Sequence, residues 1–306
     1  MGQFTQFYLT NDSDSTFMPK QIKEWCISTY KYYYSIDIDN KTKLLVATTQ
    51  KRIPDTSQMV KIIKGFRESF PKSNLGVTIT YLPTPFKKIW NGIDNLTSKH
   101  VNSGYSTIRN TNNEIVIFRK EESYKVLIHE LIHALHLHCV YDSTIRGDYN
   151  GKPDESIVET WAIIVNCLRF KASAQGRLRI SKKSFDYEKL FRGEVFKKEL
   201  EFSLKQAAKL LRAHECTITN NIGVCYKTWN KIPATFYYYI VKAAFLCDPN
   251  RFVNEFSWNK IQKCRTIPFN IINSYLQHPV FIAGIKQHFN KKYNDSMRMS
   301  KYGDCW

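Results

Sequence analysis

Residues 129–133 read His129-Glu130-Leu131-Ile132-His133. On an α-helix, positions i and i+4 share a face, so both imidazoles can reach one metal ion. The carboxylate of Glu130 sits beside them, placed to take a proton from water. The flanking sequence supports a helix. Glu121-Glu122-Ser123 brings negative charge and a hydroxyl to its start, where the helix dipole favours them. Residues 124–139 contain no Gly or Pro, and Val126, Leu127, Leu131, Ala134, Leu135 and Leu137 give the segment enough apolar surface for burial. The helix is expected to run to about residue 140. Residues 141–152, with Gly147 and the pair Asn150-Gly151, are expected to form a loop.

A catalytic zinc takes three protein ligands and keeps one position open. Pro153 reads as the first residue of a second helix. On it Glu155 and Glu159 stand four apart and share a face. Two histidines on one helix and a carboxylate on a following antiparallel helix meet the requirement. His136 lies one turn beyond His133 if the first helix continues. The helix rise then carries it about 4.5 Å past His133, which suits a core or supporting role better than a fourth ligand.

This arrangement resembles the gluzincin metallopeptidases, whose pattern is HExxH followed some twenty or more residues later by a ligand Glu on a second helix. In the thermolysin branch that Glu is preceded by Asn and followed four residues on by Asp. Here the corresponding stretch is Asp154-Glu155-x-x-x-Glu159. The resemblance implies one zinc ion held by His129, His133 and Glu155, with Glu130 as general base. It implies Glu159 behind them, accepting the N–H of a ligand imidazole. A register shifted by one turn would make Glu159 the ligand and Glu155 a bystander. The metzincin pattern fits worse, because His136 and Cys139 stand where that family has Gly and His.

Upstream, residues 43–49 read as a buried strand, 57–70 as a helix, and 75–81 as a further strand. Residues 105–109 and 114–119 flank Asn110-Thr111-Asn112-Asn113, a hairpin turn signal. The expected fold is α+β and zincin-like: a small mixed sheet with an active-site helix, then a mainly helical C-terminal subdomain. In zincins an edge strand borders the cleft and pairs with extended peptide. Ile115, Val116, Ile117 and Phe118 are expected to be that edge, since they come last before the motif helix. The chain divides into residues 1–40, with no role assigned, a catalytic core over 41–169, and a C-terminal part over 170–306.

The C-terminal part reads as helices over 191–212, 233–247 and 271–289. The resemblance implies that it supplies a group to stabilise the oxyanion; His214, Tyr226, Tyr237, Tyr238 and Tyr239 are the candidates. It holds 24 of the 45 Lys and Arg but only 10 of the 27 Asp and Glu, hence +14 of the net +18. Such a surface attracts polyanions. The charges are scattered, however, which favours a composition bias with solvated faces. Two functions from different classes follow. One is a zinc metallopeptidase acting on a peptide or protein substrate. The other is a basic binding or packaging protein, for nucleic acid or an acidic partner, on a catalytically idle zincin scaffold.

A length of 306 residues suits one two-lobed domain or two domains with a cleft between them. The first thirty residues lack the apolar stretch of a signal peptide, and no apolar run reaches spanning length. The eight cysteines include no CxxC pair. An intracellular protein with reduced thiols is the expectation.

Overall fold

Alternating polarity builds the sheet. The computed structural model describes residues 17–71, 75–92, 96–109, 111–137, 153–172, 178, 180, 186–216, 218, 233–258 and 269–303. Five strands appear: β1 (Tyr32–Asp39), β2 (Thr42–Thr48), β3 (Gly76–Tyr81), β4 (Gly104–Thr107) and β5 (Asn112–Ile117). In β3 and β5 every second side chain is buried, the period-2 pattern of a strand. The spatial order is β1-β2-β3-β5-β4. β2, β3 and β5 run parallel, and β1 and β4 are antiparallel edges.

Both faces are covered. Leu44, Val46, Val77, Ile79, Ile115 and Ile117 join the main core, with Met59, Ile62, Ile63 and Phe66 of α2 (Ser57–Ser69). The opposite face packs Ala47, Leu82, Tyr105 and Phe118 against Met18, Ile22 and Cys26, the last two from α1 (Lys20–Thr29). Residues 32–39, within the segment given no role from sequence, therefore form β1 of this sheet.

The expected edge is corrected here. β5 carries Ile115, Val116 and Ile117 between β3 and β4, so these residues are interior; Phe118 follows directly and is fully buried. The outer strand is β4. The chain reaches it before β5, through the short α3 (Ser98–Val101), and returns inward by a hairpin. Local pattern cannot distinguish the two, because which strand lies outside depends on the parallel pairing of β3 with β5.

α4 (Ser123–Ala134) carries the His-Glu pair and is buried at every residue. Gly104 lets β4 lie directly against it: a Cβ there would meet Val126 Cγ1 at 2.7 Å and the Val116 carbonyl at 2.8 Å. Its N-cap, Glu122, has a left-handed φ of 59° and makes no side-chain cap. The expected acidic capping is therefore not how this helix begins. Glu122 instead pairs with Lys88 at 2.7 Å, both side chains buried. The helix also stops earlier than expected. His136 takes φ 52°, its N–H bonds the His133 carbonyl, and the N–H of Leu137 bonds that of Ile132. This is a Schellman closure with His in the place usually given to Gly. Asn113 Nδ2 donates to the Ala134 carbonyl at 2.6 Å and satisfies another end group.

The described residues that follow form mainly helices: α5 (Asp154–Ala172), α6 (Tyr187–Phe191), α7 (Glu194–Ala213), α8 (Pro233–Thr235), a π-helical turn (Phe236–Val241), α9 (Lys242–Cys247), α10 (Pro249–Glu255), α11 (Phe269–Leu276) and α12 (Pro279–Phe289). Trp161 of α5 is buried, stacks on Trp258 and donates its indole N–H to the Phe256 carbonyl at 2.9 Å. Among the described residues no helix is long and apolar enough to cross a membrane. Cys26, Cys167, Cys216 and Cys247 are free thiols.

Residues 294–303 thread back between the two halves. An extended segment must find partners for its backbone, and here side chains supply them. Glu122 accepts the N–H groups of Met299 (2.8 Å) and Ser300 (2.6 Å). Glu199 accepts those of Lys301 and Tyr302, both at 3.0 Å. Gln206 donates to the carbonyls of Ser296 and Arg298, Tyr239 to Met297, and Lys242 to Met299. The passage is tight: a side chain on Gly303 would collide with Glu122.

Candidate metal centre

α4 and α5 run antiparallel across the site, since His129 meets Glu159 while His133, one turn later, meets Glu155, one turn earlier. Three atoms converge. His129 Nε2 and His133 Nε2 lie 3.2 Å apart. Glu155 Oε2 is 3.3 Å from the latter and 3.4 Å from the former. Zinc bonds of about 2.0–2.1 Å in tetrahedral geometry separate ligand atoms by about 3.3–3.4 Å, so this nearly equilateral triangle matches three corners of such a site. The same three side chains line a cleft. Among the described residues His129, His133 and Glu155 are the group able to hold a metal ion. His136 is outside it, because the left-handed turn takes it off the helix.

The other ring nitrogen of His129, Nδ1, is 2.9 Å from Glu159 Oε2. In the neutral ring, an N–H at Nδ1 leaves the Nε2 lone pair facing the triangle. The second oxygen of Glu159 is in ion contact with Lys125, and both side chains are buried. Burial alone would raise the Glu159 carboxyl. The Lys125 ammonium, the His129 contact and, further off, Lys242 together hold it below the ordinary carboxylate range. Glu155 behaves likewise: burial opposes its charge, but the two imidazoles hold it well below that range. Burial also opposes a charged His129, yet hydrogen bonds to Glu155 and Glu159 raise its pKa to about 9.

A cleft of about 430 Å³ opens over these groups. Glu130, Tyr238, Tyr105, Val101 and Thr235 help to line it, as do Gly104 and Ser106 of the edge strand β4. Arg119 braces one wall, donating to the carbonyls of Asn102 (2.8 Å), Lys87 (2.7 Å) and Lys99 (2.5 Å).

Of the five residues considered for oxyanion contact, the structure brings Tyr238 to the site. Its ring centroid lies 6.1 Å from that of His129, and it lines the cleft together with Glu130 and Glu155. Burial, with Glu155, Glu130 and Glu159 nearby, pushes its phenol well above the usual value, so it stays a donor. All three tyrosines sit on the π-helical turn (Phe236–Val241). Successive side chains fan around its axis, and Tyr238 falls on the cleft wall while Tyr237 and Tyr239 are buried in the core. Tyr239 spends its hydroxyl on the Met297 carbonyl. His214 caps the far end of α7 and does not line the cleft. Tyr226 and the loop expected at 141–152 lie outside the described residues. Sequence reasoning missed Lys125. Its position four residues before His129 was the available signal, since i and i+4 share a face.

Comparison with known protein families, with characterised proteins and with solved structures returned no match to this chain. The α+β architecture and the His-His-Glu group rest on the fold and its geometry alone.

Proposed function

We propose that this protein is a zinc-dependent peptidase of the gluzincin type. The observation that carries the reading is the triangle of His129 Nε2, His133 Nε2 and Glu155 Oε2 beside a cleft that Glu130 also lines. Zinc held there would supply Lewis acidity, lowering the pKa of water towards neutrality and polarising a carbonyl. Glu130 takes the proton of the attacking water and delivers it to the leaving amine. Tyr238 donates its phenolic hydrogen to the oxygen on which charge develops. The substrate lies extended along β4, the outer strand of the sheet among the described residues, which borders the cleft. In this reading residues 41–169 form the catalytic core, and the basic residues 170–306 complete the cleft.

The test is elemental analysis of the purified protein, followed by cleavage of a peptide library by wild type and Glu130→Gln. One zinc per chain, with cleavage by wild type alone, supports the reading. A zinc-free protein without peptidase activity, binding nucleic acid tightly at physiological salt, would instead favour the polyanion-binding function to which the +14 of residues 170–306 points.

A further inference from the structure

Three largely buried carboxylates, Glu130, Glu155 and Glu159, meet on two helices at the floor of the cleft. A dipositive ion offsets two of these charges, and the third needs a cation from the protein. Glu159 is the one set back from the triangle, and it is 1% exposed. Lys125 answers it. The two stand in ion contact on Oε1, while Oε2 is left to Nδ1 of His129. Lys125 and His129 are one turn apart on α4, so both reach Glu159 from the same helix face.

Lys125 is itself 2% exposed, and its ammonium lies 3.6 Å from Met299 Sδ, a weak acceptor. A methionine would fill this space without the desolvation cost of a buried ammonium. Two other buried lysines lie nearby and are spent elsewhere: Lys242 gives its ammonium to the Met299 carbonyl at 2.7 Å, and Lys88 pairs with Glu122 at 2.7 Å. Glu159 thus has one oxygen for each of two partners, and its plane is fixed from both ends.

Building on the zinc reading above, we propose that Lys125 is a positioning residue of the metal centre: by clamping Glu159 it fixes the His129 ring with Nε2 in the triangle. The site is then set before any ion arrives, and ring orientation is not drawn from the binding free energy.

Zinc affinity of the apo-protein, measured by competition with a chromophoric chelator, tests this without recourse to activity. Lys125→Met should bind zinc about 10–100-fold more weakly with an unchanged circular dichroism spectrum, the loss usual for an outer partner of a ligand. Lys125→Arg, which keeps the charge and donors, should recover most of the loss. Added to Glu159→Gln, Lys125→Met should cost less than about threefold more, because it acts through that carboxylate. Should Lys125→Met fail to fold, Lys125→Gln takes its place in the same cycle. A neutral variant within about threefold of wild type, or losses that multiply in the double variant, would overturn the proposal. Wild type that takes up no zinc overturns the metal reading and this one with it. Tight zinc binding with an indifferent Lys125 overturns this one alone.

Discussion

Glu155 and Glu159 stand one helical turn apart and address opposite sides of the same imidazole: Glu155 Oε2 is 3.4 Å from Nε2 of His129, and Glu159 Oε2 is 2.9 Å from Nδ1. The geometry places Glu155, not Glu159, in the triangle. Glu155→Gln should therefore strip most of the bound zinc, while Glu159→Gln should weaken binding by about 10–100-fold. Zinc titration of both variants checks the order; the reverse order would mean a register wrong by one turn.

Glu130 lines the cleft but stands outside the metal-holding group. Glu130→Gln should keep its zinc and lose activity by about 10²–10⁴-fold, the usual contribution of a general base. Metal content and kcat/KM are to be measured on the same preparation. Activity within about tenfold of wild type would exclude the mechanism.

Tyr238→Phe separates two duties of one hydroxyl. If the phenol serves the transition state, kcat should drop by about 10²–10³-fold, as for loss of an oxyanion donor, with KM and zinc affinity little changed. A fall in zinc affinity with kcat preserved would show that it only steadies Glu155.

The pH dependence of metal binding has a defined sign. Without metal His129 titrates at about 9, above the 6.5 of the unfolded chain, because its hydrogen bonds to Glu155 and Glu159 outweigh burial. Its stabilising contribution is complete below pH 6.5 and is lost as pH rises through 9, so the Tm of the apo-protein should fall across that window. Zinc needs the unprotonated ring and must displace this proton. Apparent zinc affinity should therefore rise by about tenfold per pH unit between 6.5 and 9. Titrations at three pH values decide this, and a flat profile would contradict it.

The chemistry of the centre was legible in the sequence because it depends on helical spacing. His129 and His133 at i and i+4, and Glu155 and Glu159 at i and i+4, declare their faces whatever the rest of the chain does. Elements whose place depends on distant partners were not legible. Ile115 and Ile117 carry an ordinary strand alternation whether β5 is an edge or interior, and the parallel pairing with β3 alone makes it interior. The stop at His136 needs a left-handed residue, for which a Gly would have been the cue. Lys125 gains its meaning from Glu159, 34 residues on. Tyr238 was one of three consecutive tyrosines, and which of them meets the cleft depends on how their helix packs against α5.

The segment that closes over Glu122 bears on the order in which the site matures. Met299 lies 177 positions beyond the carboxylate that receives its N–H. At about 5–20 residues per second the ribosome takes roughly 9–35 s to cover that distance. Through this interval the N-cap of the motif helix holds a carboxylate meant for burial without its backbone donors. The sheet and the two ligand-bearing helices can assemble as the chain emerges. Lys88 can pair with Glu122 earlier, but the two backbone donors to Glu122 come only with residues 299–300, so a ribosome stalled before them would display a motif helix without its final clasp.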